Sequence, residues 1–130
     1  MPAPGSLIGF VPITDAARAK AFYGDVLGLE FVEDDGFALV FQSGDGRSGS
    51  NMVRLARIPQ VTPAQFTILG WETTQINAQV EALSAKGVSF QRYGFLEQDA
   101  LGIWSAPTGS KVAWFTDPDG NVLSLSQHAH

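Results

Sequence analysis

Apolar positions along the chain change period at intervals, and each change marks an element. Leu7 to Ile13 is a β-rich run ending at Thr14-Asp15. Either residue can cap a helix whose apolar positions Ala19, Phe22, Tyr23, Val26 and Leu27 fall at i, i+3, i+4, i+7 and i+8. Gly28 stops that helix. Three strand-like runs follow: Leu29 to Glu33, Phe37 to Phe41 with Phe37, Leu39 and Phe41 alternating, and Asn51 to Ile58. Asp34-Asp35-Gly36 supplies the hairpin turn between the first two. After a Pro-containing link over residues 59–65 the pattern restarts. Phe66 to Glu72 is a strand, and Thr73 or Thr74 caps a helix with Ile76, Val80 and Leu83 on one face. Gly87 ends it, and strands are expected over Val88 to Phe95, Val112 to Thr116 and Asn121 to Gln127. The order β-α-β-β-β therefore occurs twice, with Thr14-Asp15 overlying Thr74-Gln75 at an offset of 60 and Gly28 overlying Gly87 at 59. Two copies are too few for a solenoid, so a pair of pseudo-symmetric sheets is predicted.

Two motifs invite a ligand and fail on context. In Asp117-Pro118-Asp119-Gly120-Asn121, oxygen donors at alternate positions resemble the start of a calcium loop. The sixth position is Val122 and not Gly, and the twelfth is His128 and not Glu, so a strand-turn-strand hairpin is predicted instead. Gly44-Asp45-Gly46-Arg47-Ser48-Gly49 spells a dinucleotide fingerprint. A strand pattern, not the required helix, follows it, and it is assigned to a hairpin loop.

Composition narrows the chemistry. The 130 residues suit one domain with a real core. Zero cysteines exclude disulfides, thiolate metal sites and a cysteine nucleophile. A net charge of −5 without a basic stripe argues against nucleic acid. The start has no positive n-region, and its apolar run is short and broken by Pro12, so neither a signal peptide nor a membrane span is expected and cytoplasm is the default location. Both histidines, His128 and His130, fall in the last three residues, where fraying is expected and a Ser-His-Asp triad is not.

Val11-Pro12-Ile13-Thr14-Asp15, Ala21-Phe22-Tyr23, Val26-Leu27-Gly28-Leu29 and Asp117-Pro118-Asp119-Gly120-Asn121, in this order, resemble the vicinal oxygen chelate superfamily of glyoxalase I, extradiol dioxygenases and bleomycin-resistance proteins. The resemblance implies an α+β fold: one domain over 1–130 built of βαβββ modules at about 6–58 and 66–128, whose curved mixed sheets surround a shared cavity. It also implies a homodimer. Enzymes of the family hold a divalent metal on His and Glu from four strands. The matching places here are Ile8, Arg54, Ile68 and Ser124, which give no anionic or imidazole donor, so no metal and no cofactor are expected.

With the metal gone, strand alternation suggests an apolar pocket lined by Ile8, Phe10, Ile68, Ser124, Trp104 and Trp114. Arg54 is either a polar anchor for a ligand or the partner of Glu72 or another strand carboxylate. Glu72, Glu97 and Asp99 are candidate general bases, Glu97 and Asp99 in a loop before Trp104. Two functions stay open: a metal-free protein that binds a small planar or anionic organic molecule, or a lyase, isomerase or hydrolase using one of those carboxylates with Arg54 as electrostatic stabiliser.

Overall fold

In the computed structural model, which describes residues 2–44 and 51–129, the repeated element order is present in full. The chain divides into unit 1, Met1–Thr62, and unit 2, Pro63–His130. Unit 1 runs β1 (Ile8–Ile13), α1 (Ala16–Lys20) extended by a π-helical turn (Ala21–Val26), β2 (Glu30–Asp34), β3 (Ala38–Ser43) and β4 (Asn51–Arg57). Unit 2 runs β5 (Leu69–Glu72), α2 (Ile76–Ala85), β6 (Trp104–Ser105), β7 (Lys111–Thr116) and β8 (Val122–Gln127). The strand orders are β1-β4-β3-β2 and β5-β8-β7-β6, so the same topology occurs twice. In each sheet the unit's first strand runs parallel to its last, and the remaining pairs are antiparallel.

The helix of unit 1 begins where expected, with Arg18 N–H donating to Asp15 Oδ1 at 3.1 Å. It then widens, Leu27 N–H donating to Phe22 O at 2.9 Å, before Gly28 turns the chain at φ 81°. The face it covers is apolar and dry: Val11, Ile13, Leu39, Phe41, Val53 and Leu55 of the sheet are buried with Ala19 and Tyr23. Tyr23 sits with its ring centroid 6.3 Å from Phe41. Phe37, expected in the alternating strand, stands outside β3 and is exposed, while Leu39, Val40 and Phe41 are all buried. Gly44 has φ 113°, and the remainder of the loop assigned to residues 44–49 lies outside the described residues.

Unit 2 repeats the scheme with Ile76, Val80 and Leu83 of α2 buried, as are Ala113, Phe115, Leu123 and Leu125 of β7 and β8. Its details depart from expectation in five places. Thr73 does not cap α2 itself; its hydroxyl accepts from Gln75 N–H at 3.1 Å, and the Ile76 N–H donates to the side-chain oxygen of Gln127 on β8. The fifth strand starts at Leu69, not Phe66. Val88 to Phe95 is no strand; only Phe90 bridges, to Phe115, because the side chain of Gln98 takes the Tyr93 N–H and donates to Gln91 O. The sixth strand is Trp104–Ser105, paired with β7. The tail, expected to fray, is tied through Ala129: His128 N–H donates to Glu72 at 2.8 Å, its ring meets the same carboxylate, and Ala129 N–H reaches Ser110 Oγ at 3.1 Å. His130 lies outside the described residues.

The β7–β8 hairpin is held by a buried carboxylate. Asp117 Oδ1 accepts from the N–H groups of Asp119 and Asn121, both at 2.9 Å, and Oδ2 accepts from Asn121 Nδ2 at 2.9 Å. Both residues are buried, so these bonds replace water that cannot reach them. Asp117→Ala should lower stability by about 3 kcal/mol, read as a shift in the urea midpoint with unchanged m-value; an effect under about 1 kcal/mol would show that the turn closes without it.

Candidate functional site

Register decides which side chains share a face. In unit 1, Ile8 lies beside Met52, and Phe10 beside Arg54, which faces Val40 across the next ladder. Ile8, Phe10, Met52 and Arg54 thus line the side of the sheet away from its helix. Phe10 remains 67% exposed there and Ile8 52%. Arg54 is not left seeking a counter-charge. Its Nη2 donates to Asp35 Oδ2 at 2.7 Å, and Arg57 on the same strand pairs with Asp34. The two arginines of β4 therefore hold the Asp34-Asp35-Gly36 turn, whose carboxylates also accept from the N–H groups of Gly36, Phe37 and Ala38. The protein carboxylate on Arg54 is Asp35, not the Glu72 considered from the sequence.

In unit 2 the rows Gly70-Ser124-Trp114 and Glu72-Ser126-Val112-Trp104 place Trp104, Trp114, Ser124 and Glu72 on one face, opposite the face carrying the buried Leu123 and Leu125. Ile68 lies just before β5 and joins it to β8 by donating its N–H to Val122 O at 2.9 Å. Ser124 is buried, with its hydroxyl lying over Gly70: a Cβ there would come within 2.4 Å of Ser124 Oγ. The aromatic rings are grouped. Trp104 and Trp114 have centroids 6.2 Å apart at 34°, Tyr93 meets Trp114 edge-on at 5.4 Å, and Phe95 lies 5.7 Å from Tyr93. Tyr93 and Phe95 join this cluster although the sequence pattern predicts a strand over Val88 to Phe95; their i, i+2 spacing and nearness to Trp104 in the sequence are the signal for them.

A hollow of about 580 Å³ adjoins this cluster at edge strand β6, lined by Phe95, Glu97, Asp99, Trp104, Ser105 and neighbouring residues. Its loop is rigidly bonded: Gln98 Nε2 donates to Gln91 O and Gly102 O at 2.8 Å, and Asp99 Oδ1 accepts from Leu101 and Ile103 N–H at 2.9 and 3.0 Å. The three candidate bases are thereby separated in role. Glu72 holds His128, Asp99 caps its own turn, and Glu97 has no hydrogen-bond or ion-pair partner among the described residues.

Among the described residues no three His, Asp or Glu side chains converge as metal ligands. The donor chemistry at Ile8, Ile68, Ser124 and Arg54 does not fit a divalent ion: two alkyl groups, one hydroxyl and one cation already paired.

Two four-stranded sheets of one topology, each with a helix packed on one face, define a protein of two βαβββ modules. Residues 8–125 match the Glyoxalase/Bleomycin resistance protein/Dioxygenase superfamily, and the chain belongs to that superfamily. No match is found among curated proteins. Solved structures of the same fold include TnmS3, an antibiotic binding protein from Streptomyces sp. CB03234 (23% identity, TM-score 0.73, covering 99% of each chain). A superfamily member from Sphaerobacter thermophilus is similar (22%, TM-score 0.73, covering 97% of this chain and 98% of that one). So is lactoylglutathione lyase from Agrobacterium tumefaciens (18%, TM-score 0.69, covering 97% and 95%).

Two predictions test this geometry. Gly70→Ala should cost about 1–3 kcal/mol by driving a methyl into Ser124, and Ser124→Ala in the same chain should recover most of it; additive losses in thermal unfolding would contradict the contact. The hydrogen bond from Arg54, with those from Ala38 and Phe37, lowers the Asp35 pKa from an ordinary 3.8 to about 2. A depressed folded-state value means the stabilisation is present above 3.8 and lost as pH falls towards about 2. Arg54→Met should therefore flatten the acid limb of the melting temperature over that window; an unchanged limb would remove the pairing as its cause.

Proposed function

We propose that this protein is a metal-free, ligand-binding member of the superfamily that holds a small planar organic molecule against the aromatic face of unit 2. The observation that carries this is the grouping of Trp104, Trp114, Tyr93 and the exposed Phe95 beside a hollow whose volume lies within the usual range for ligand sites, about 300–1,000 Å³. Flat rings set at fixed angles favour a flat ligand, since stacking adds to the area buried. That TnmS3 is an antibiotic binding protein of this fold is consistent with it. Pairing of Arg54 with Asp35 removes the main support for an anionic ligand. A homodimer in the cytoplasm completes the proposal, the former motivated by the exposed Leu7, Ile8 and Phe10, the latter by the absence of cysteine. Among the described residues no helix is long and apolar enough to cross a membrane.

A catalytic alternative, a lyase, isomerase or hydrolase, is favoured by one observation, the unengaged carboxylate of Glu97 in the hollow. Titration with phenazine, a neutral planar compound, should give saturable binding that Trp104→Ala weakens by roughly threefold to tenfold. For the natural ligand, once co-purified and identified by mass spectrometry, unchanged recovery after prolonged incubation supports binding and time-dependent conversion supports the alternative. Elemental analysis of dialysed, tag-free protein should return far less than one divalent metal per chain; a stoichiometric metal lost on substituting Ser124 would overturn the metal-free assignment.

A further inference from the structure

We infer that the hollow at β6 selects a planar aromatic cation, with Glu97 meeting its protonated nitrogen; this rests on the binding function proposed above and narrows its ligand class. The polar groups lining the hollow can be counted off by what already occupies them. Gln98 spends its carbonyl on Tyr93 N–H and its amide on Gln91 O and Gly102 O. Asp99 uses Oδ1 on two N–H groups of its own turn. What remains to face a ligand is the Glu97 carboxylate and the Ser105 hydroxyl, with the second oxygen of Asp99 adding to the negative field.

Among the described residues no cation lines the hollow. Arg92, which does not line the hollow, is engaged by the same loop, donating to the carbonyls of Asp99 and Ala100 at 2.8 Å. An anionic ligand would therefore meet two carboxylates, with the Ser105 hydroxyl as the side-chain donor left to it. A cation would gain from Glu97 and from the faces of Phe95 and Trp104, whose ring quadrupoles attract positive charge. Phe95 is 83% exposed, so a ring laid over it also removes apolar surface from water. The loop that carries both groups is braced by the Gln98 and Asp99 bonds, so little ordering remains to be done on binding. A neutral planar compound gains the apolar part alone, and charge becomes the selective element.

Calorimetric titration with three planar probes tests this: proflavine, a cation near neutral pH, phenazine, which is neutral, and anthraquinone sulfonate, an anion. Proflavine should bind most tightly and the sulfonate least, with the proflavine affinity falling as salt rises. Glu97→Gln, at an exposed position, should weaken proflavine by roughly threefold to tenfold while leaving phenazine affinity and melting temperature unchanged. If phenazine binds but proflavine has no advantage, or keeps it in Glu97→Gln, the inference fails and the binding function stands. If the sulfonate binds as well as proflavine, the inference fails likewise. Absence of binding by all three overturns the binding function and the inference together.

Discussion

A buried carboxylate needs hydrogen-bond donors, and Asp117 takes three from its own turn, the turn that sets the register of the two inner strands of unit 2. With Thr116 opposite Val122, Ala113, Phe115, Leu123 and Leu125 fall on one face and Trp114 and Ser124 on the other. Side-chain direction in a strand has a period of two, so a slip by one residue would carry the leucines into water and the tryptophan into the core. The aromatic face and the dry face are two results of one hydrogen-bonded turn. Charge at a turn acts in unit 1 as well, through different bonds: Asp34 and Asp35 are tied to β4 by arginines.

Much of this architecture was legible because local chemistry and tertiary packing agree. The helix period of Ala19, Phe22 and Tyr23, the stopping glycines, and the Asp-Pro-Asp-Gly-Asn turn each satisfy backbone needs with neighbouring residues. Val88 to Phe95 misleads for the opposite reason. Its β-branched and aromatic residues suit a ladder, yet the Tyr93 N–H and the Gln91 C=O are taken by a glutamine side chain several residues away, and no residue pattern encodes that competition. The two-residue strand Trp104–Ser105 is too short to show a period at all.

The candidate site divides in the same way. Trp104, Trp114 and Ser124 share a face because strand alternation places them there, and alternation is readable from sequence. The partner of Arg54 is not, since it depends on where a hairpin turn falls relative to the neighbouring strand; Asp35 precedes Arg54 by 19 residues and has no periodic relation to it. Charge pairing is decided by side-chain reach in three dimensions, which is why the pairing of Arg54 with Asp35 could not be read from the sequence.

The parallel pairing that closes each sheet bears on how the chain is made. Strand β8 is an inner strand, flanked by β5 and β7, yet it is the latest strand of its unit to be synthesised; β4 occupies the same place between β1 and β3. A nascent chain thus holds its opening strand unpaired through most of a unit's translation, and long-range closure comes last. The β7–β8 hairpin can zip locally, but β5 has no neighbour until that hairpin arrives. Stalling or proteolysis just before Val122 would therefore not trim an edge but remove the middle of the sheet, leaving two exposed strand borders free to pair with another chain.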